Sequence, residues 1–243
     1  MIDIHCHILP GIDDGARNWE ITLEMCRLAR QDGITHIVAT PHANYDYKYD
    51  REAHLALLDE LRARMPELRF SLGCDLHLSY ENIDDAVRHP ERYAIGETRY
   101  QLVELSEYST FNVAHTLYEL QAAGLQPILT HPERNPLILH KPELLHEFAA
   151  VGCLFQITAN SLTGFWGKRT QQFCVEMLRN GQVHFIASDA HGMKERPPLL
   201  SQARDAAAKI IGAAEAEKLV DANPGAVVSG RLVDPSYGEA PKR

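Results

Sequence analysis

At 243 residues, with 45% hydrophobic and 23% charged residues, the chain is long enough to build one large domain around a buried core and ordinary in composition for a globular protein. No run approaches the ~18 apolar residues of a membrane span, and a formal net charge of −9 with His neutral argues against a general affinity for nucleic acid. The five cysteines (Cys6, Cys26, Cys74, Cys153 and Cys174) are odd in number and scattered through apolar segments, which excludes a disulfide framework and suits small core residues.

The first residues carry acids and histidines where a secretory signal would place a basic start and an apolar stretch, so a cytoplasmic protein without membrane insertion is expected. Short apolar runs then recur with amphipathic segments between them. The strand candidates are Ile2–Ile4, Ile34–Ala39, Phe70–Gly73, Tyr100–Leu105, Pro127–Thr130, Leu154–Thr158 and Phe185–Ser188. Helical periodicity covers Trp19–Arg30, Ala53–Met65, Val113–Ala123, Pro142–Ala150, Gln171–Asn180 and Leu199–Ile211. Gly33, Gly124, Gly152 and Gly181 each follow a helix and precede a strand, punctuation that favours a (β/α) barrel of about seven units over an open doubly wound sheet. Ser79 to Thr98 breaks the rhythm and reads as an irregular insertion. Residues 1–233 read as a single domain, and the polar, Pro- and Gly-containing stretch 234–243 as a flexible tail.

In a parallel barrel, reactive groups gather at the carboxyl ends of the strands, where the following loops converge on one mouth. His5 and His7 follow the first strand, with Asp13 and Asp14 in the loop after it, and His42 ends the second in Thr-Pro-His. Asp75 ends the third, Glu104 the fourth and His131 the fifth, and Asp189 and His191 close the seventh. Six of the seven candidate strands thus deliver a metal-type ligand to the same rim; the sixth, ending near Thr158 and Asn160, does not. Alternate residues of an extended segment point the same way, so His5 and His7 face one cation together, and Asp189 and His191 repeat the arrangement. Imidazole and carboxylate without a Cys pair suit manganese, iron or zinc, and the ligands outnumber the needs of one ion, which implies two or three sharing carboxylates.

Taken singly, each of these histidines is more often a hydrogen-bonded structural residue; the coincidence over six strand ends carries the reading. His36, His54, His77, His89, His115, His140, His146 and His184 lie away from the rim and are read as structural, His77 least securely. Asp13 and Asp14 with Gly15 also fit a turn or helix cap, a reading as strong as a functional one for Asp13 and weaker for Asp14. Glu107 is read as a solvated loop acid, and Cys6, between two ligand candidates, as packing that points away from them.

His5-Cys-His7 followed by Asp13-Asp14-Gly15, Thr-Pro-His42, Arg-Tyr-x-x-x-Glu104, His131-Pro-Glu-Arg134 and Ser-Asp189-Ala-His191 with Arg196-Pro-Pro resemble, in order and spacing, a PHP-domain (polymerase and histidinol phosphatase) bacterial protein tyrosine phosphatase of the CpsB-like type. The resemblance runs from residue 1 to about residue 225. It implies a distorted TIM-like (β/α)7 barrel and a cluster of divalent metals, most often manganese. It also implies a metal-dependent hydrolase of phosphotyrosine, acting on a bacterial tyrosine kinase that controls capsule or exopolysaccharide biosynthesis. Carried over, His5, His7 and Asp189 would hold the first metal, Glu104 and His131 the second, and Asp14, His42 and His191 the third, with Asp75 and Glu104 as the carboxylates shared between metals. The family usually has Glu where this chain has Asp75, a carboxylate one methylene shorter.

A phosphomonoester dianion repels nucleophiles, and cations on its oxygens relieve that repulsion while bringing the pKa of a bound water toward neutrality, so a metal-activated hydroxide is the expected attacking group. Arg134 and Arg196, a few residues beyond ligands, are placed to grip phosphate oxygens with paired donors, and Asp14 could supply the leaving-group proton. Tyrosinate, with a pKa near ~10, needs little acid assistance. A thiol mechanism needs Arg six residues after Cys, and those positions hold Ile12, Asp32, Tyr80, Ala159 and Asn180. The same residues would suit a histidinol phosphate phosphatase or another small phosphomonoester hydrolase. An amidohydrolase would place a carboxylated Lys at a strand end, and none stands there. From another class, the chain could be a non-catalytic metal-binding scaffold or sensor.

Overall fold

The computed structural model describes residues 1–106 and 112–235. In chain order it runs β1 (Ile2–Cys6), α1 (Trp19–Gln31), β2 (His36–Ala39), β3 (His42–Ala43), α2 (Arg51–Arg64), β4 (Arg69–Leu72), β5 (Asp75–His77), α3 (Tyr80–Arg88), α4 (Pro90–Tyr93) and β6 (Tyr100–Glu104). It continues with α5 (Val113–Ala122), β7 (Gln126–Thr130), a 3-10 turn (Pro132–Arg134), α6 (Pro136–His140), α7 (Leu144–Ala150), β8 (Leu154–Thr158), α8 (Ala159–Leu162), α9 (Lys168–Arg179) and β9 (Phe185–Ala187). Helices α10 (Ser201–Ile211), α11 (Ala213–Glu217) and α12 (Asn223–Val228) follow, the last two joined by a π-turn over Lys218–Ala222.

Every strand candidate forms a strand, but the second and third units break in two. Pro41, which has no N–H to donate, separates β2 from β3, and Gly73-Cys74 separate β4 from β5. The result is two parallel sheets, ordered β1-β2-β4 and β3-β5-β6-β7-β8-β9, rather than one uninterrupted ladder. Backbone bonds carry the ladder between the second and third units through the break and join the end of β9 to β1. Gly73 N donates to Ala39 O at 2.8 Å and Asp75 N to Pro41 O at 3.1 Å; on the other side Asp189 N donates to His5 O at 2.8 Å and His7 N to Ala190 O at 2.9 Å.

The region 79–98, expected to be an irregular insertion, holds α3 and α4. Ser79 caps α3 by accepting from Asn82 N, and Pro90 opens α4. Ala86 is the buried residue of α3, so the segment shows too few apolar positions for its period to be read. The glycine punctuation holds: Gly33, Gly124, Gly152 and Gly181 all have φ between 65° and 92°. Glu107 lies outside the described residues, as does the expected tail from residue 236 onward.

Most buried apolar residues form one cluster between strands and helices, while a smaller cluster draws Ile2, Ile4, Val38, Leu102, Ile128, Leu154 and Phe185 from both sheets. Along β6 and β8 that inner face changes from apolar Leu102 and Leu154 to Glu104 and Gln156 two residues later, as period-two alternation requires. In β1 the register with β2 shifts between Asp3 and Cys6. Ile4 belongs to the small cluster and Cys6 to the large one although both are even-numbered, so the irregularity reverses the faces and lets His5 and His7 turn inward. All five cysteines are free and buried. Among the described residues no helix is long and apolar enough to cross a membrane.

Candidate metal centre

The strand ends bring the expected ligands together. His5 and His7 lie with their Nε2 atoms 3.2 Å apart. Each ring is held from behind: Gln156 Oε1 lies 2.8 Å from His5 Nδ1, and Asp13 Oδ2 lies 2.9 Å from His7 Nδ1. A ring that donates its Nδ1–H keeps a lone pair on Nε2, so two lone pairs are pressed toward one point and call for a positive charge between or beside them. Asp13 also accepts from Gly15 N at 3.0 Å, so the turn and the support of His7 are one device rather than alternatives. A Cβ on Gly15 would fall 2.2 Å from His7 O, which is why this loop can lie so close over the histidine.

Three overlapping groups offer donor atoms within 4.8 Å of one another: His7, Asp14, His42 and His191; His5, His7 and Asp75; His42, Asp75 and Glu104. Asp75 is common to two of them, its Oδ2 3.5 Å from His5 Nε2 and 3.4 Å from His42 Nδ1. Thr130 Oγ1 donates to the other oxygen of Asp75 at 3.3 Å, which aims Oδ2 at the cluster. The shorter carboxylate therefore still spans two groups. Asp189 Oδ1 lies 3.4 Å from His5 Nε2 and 3.5 Å from His7 Nε2, and His131 Nε2 lies 3.6 Å from Glu104 Oε1.

The residues fit divalent cations on a second ground. Asp75 Oδ2, His42 Nδ1 and His191 Nε2 are buried without a hydrogen-bond partner, although each faces another polar atom within 3.5 Å. Buried polar atoms left without a partner cost free energy, and a cation placed between them would relieve it. His131 and Asp189 are the non-glycine residues with left-handed backbone among those described, at φ 35° and 51°. Backbone bonds from His131 N to Gln156 O (2.8 Å) and from Asp189 N to His5 O (2.8 Å) hold both in place, so local strain is concentrated at two candidate ligand positions.

Arg134 and Arg196 converge on one atom, each donating to Asp189 Oδ2 at 2.5 Å. Their Nε groups are buried and unpaired. Both border a cavity of about 380 Å³ together with Asp14, His42, Glu104, His131, Asp189 and Trp166. Arg134 sits 5.1 Å from the centroid of the Trp166 ring. Glu133, in the same motif, is buried and accepts from Thr158 N at 2.9 Å, which pins the turn carrying Arg134 to the end of β8.

The electrostatics express the same need for cations. Burial alone would lower His5 and His42, but the carboxylates around them, Asp75 above all, raise both to about 9. Burial would raise Asp75, yet His5 and His42 hold it well below the usual carboxylate range; Asp189 is held low against burial by Arg134, His5 and Arg196. The carboxylates thus favour positive charge at this point, which a bound cation would supply. His191 is lowered to about 4 by burial, His7 and Arg196, and His131 is lowered by burial and Arg134, which leaves both neutral as ligands must be. Asp14 resists the upward pull of burial and is lowered by His191, His42 and His7.

Gln156, Thr130 and Trp166 escaped the sequence reading. Gln156 comes from the strand that supplies no ligand, and its signal was its parity: it follows inward-facing Leu154 by two. Trp166 stands in a connection with no periodicity to mark it. Of the remaining histidines, His36 lies 2.9 Å from Ser71 Oγ in a part-buried position, and His115 faces Glu119 at 3.6 Å on the surface. His77 reaches the border of the site, its Nδ1 3.7 Å from Glu104 Oε2.

The family model for capsular polysaccharide synthesis, CpsB/CapC, matches residues 1–229. The chain is 37% identical over 202 residues to the tyrosine-protein phosphatase YwqE of Bacillus subtilis (strain 168), covering 81% of this chain and 79% of that protein. It is also 37% identical over 209 residues to the putative tyrosine-protein phosphatase CapC of Staphylococcus aureus, covering 83% and 81%. A solved structure from the pair YwqE of Bacillus subtilis and CpsB of Streptococcus pneumoniae, metal-dependent tyrosine phosphatases, superposes with a TM-score of 0.91 at 32% identity, covering all of both chains.

Proposed function

The chain belongs to the CpsB/CapC family of capsular polysaccharide synthesis, and from that membership we propose that it is a metal-dependent tyrosine-protein phosphatase that hydrolyses phosphotyrosine at the cavity bounded by Arg134 and Arg196. One observation carries the reading: imidazoles and carboxylates from separate strand ends meet two arginines in a single cavity. We read the two sheets as a distorted (β/α)7 barrel of PHP type, supported by the backbone bonds through the break and from the end of β9 to β1, and residues 1–233 as one domain.

In this reading His5, His7, Asp14, His42, Asp75, Glu104, His131, Asp189 and His191 hold two or three divalent ions, manganese foremost. Such ions supply Lewis acidity toward phosphate oxygens and acidify water at neutral pH. The protein's own groups do the rest. Gln156 and Asp13 fix the first two histidines, and Arg134 and Arg196, already held in a common orientation by Asp189, turn their remaining donors toward the phosphate. Asp14 acts as a ligand, and the phenolate departs without a strong acid because its pKa is about 10. The natural substrate is a phosphotyrosine protein, in our reading a bacterial tyrosine kinase acting in capsule or exopolysaccharide synthesis.

The test is hydrolysis of p-nitrophenyl phosphate and of a phosphotyrosine peptide. EDTA should abolish both and manganese should restore both. Full turnover by metal-free protein would overturn the proposal.

A further inference from the structure

Trp166 lies on the connection between α8 and α9 with 41% of its surface exposed, beside Phe165 at 51%. Large aromatic surface left in water at the edge of a reactive cavity points to a contact made on binding. The indole is fixed rather than dangling. Its Nε1–H donates to Asn160 Oδ1 at 3.0 Å, Phe165 stands edge-on at 5.2 Å, and Arg134 lies 5.1 Å from its centroid. Gly164 and Gly167, at φ 96° and 89°, turn the backbone on either side of the aromatic pair. Phe165 N bonds Asn160 O at 2.9 Å and closes the turn.

The same indole borders the cavity that holds Arg134, Arg196 and the candidate ligands. A phosphate gripped by Arg134 would lie within reach of the Trp166 ring. We propose that Trp166 is the specificity-determining shelf for the substrate's phenyl ring, favouring aryl over alkyl phosphomonoesters. The proposal rests on the phosphatase reading above and adds to it the residue that selects phosphotyrosine over phosphoserine. A ring laid on a preordered indole gains stacking and buried area, whereas a serine side chain is too short and too small to gain either. A Trp166 that served only to hold Arg134 would aid every phosphate ester equally, and that difference makes the shelf testable.

The experiment compares kcat/KM of wild type, Trp166→Ala and Trp166→Phe on phenyl phosphate and on trifluoroethyl phosphate. It also measures the binding of phenylphosphonate and methylphosphonate by calorimetry. Trp166→Ala should lose roughly tenfold on phenyl phosphate, mostly in KM, and lose the preference for phenylphosphonate, with the alkyl compounds almost unaffected. Trp166→Phe should retain most of the preference. Equal loss on both esters, or no loss on either, would overturn the shelf. Wild type that binds phenylphosphonate more tightly but turns over neither ester would sink the phosphatase reading and leave the shelf standing. Turnover of phenyl phosphate with phosphonate affinities unchanged in the variants would do the reverse. Should the alanine variant fail to fold, Trp166→Leu, which keeps apolar volume without an aromatic face, takes its place.

Discussion

The side-chain oxygen of Gln156 lies 2.8 Å from Nδ1 of His5, and both residues are completely buried. The amide fixes the imidazole's tautomer and tilt, so Nε2 alone faces the candidate metal centre. Gln156→Leu, similar in size but without the acceptor, should weaken cation binding by about 10–100-fold while the far-UV spectrum stays unchanged. Titration calorimetry with manganese reads this directly, and undiminished affinity would show that His5 needs no support.

Arg134→Ala and Arg196→Ala should each lower kcat/KM on p-nitrophenyl phosphate by roughly a hundredfold or more, since each removes a charge-assisted donor from the phosphate site. Because both guanidinium groups bond the same oxygen of Asp189, either variant leaves that carboxylate one arginine partner. Metal content by elemental analysis should therefore match wild type. Loss of metal together with activity would assign the arginines to the upkeep of Asp189 instead.

Gly15→Ala places a methyl group 2.2 Å from a backbone oxygen that cannot swing aside, His7 O. The loop bearing Asp13 and Asp14 must lift, which detaches the support of His7 and withdraws Asp14 from His42 and His191. Manganese stoichiometry should fall by about one ion, and activity should fall with it; a variant with full stoichiometry would contradict the close approach seen here.

His36 offers a pH test remote from the ligands. Burial, helped by Arg69 and Arg62, lowers its pKa to about 4 from an ordinary value near 6.5. The folded protein thus prefers the neutral ring, while the unfolded chain takes up a proton already near pH 6.5. The stability linked to this preference is complete above pH 6.5 and drains away as the pH falls toward 4. The urea midpoint of wild type, minus that of His36→Gln, should accordingly shrink between pH 7 and pH 4. A difference that stayed constant would show that His36 titrates alike in both states.

The rim was legible in the sequence because ligands at strand ends obey two rules at once: they follow apolar runs, and they recur at period two. His5 with His7 and Asp189 with His191 were found that way. The regrouping of ligands was not legible, since the placing of Asp75 between His5 and His42 depends on how β3 and β5 restart after Pro41 and Gly73-Cys74. Residues that support rather than bind, such as Gln156 and Thr130, look like any polar residue in a strand until the ring or carboxylate they touch is seen. Helices α3 and α4 were missed because a helix with one buried residue leaves almost no periodic trace. The inward turn of His5 required a backbone irregularity in β1 that no composition rule announces.

The five sealed thiols bear on how such an activity survives in an oxidising surrounding. Phosphatases that attack through sulfur are silenced when peroxide reaches the thiolate. Here every thiol is buried, and burial drives Cys26 and Cys153 up to about 12, which disfavours the thiolate that oxidants and alkylating reagents attack. Iodoacetamide should therefore leave the folded protein unmodified at cysteine and its activity intact, as mass spectrometry and a turnover assay would read.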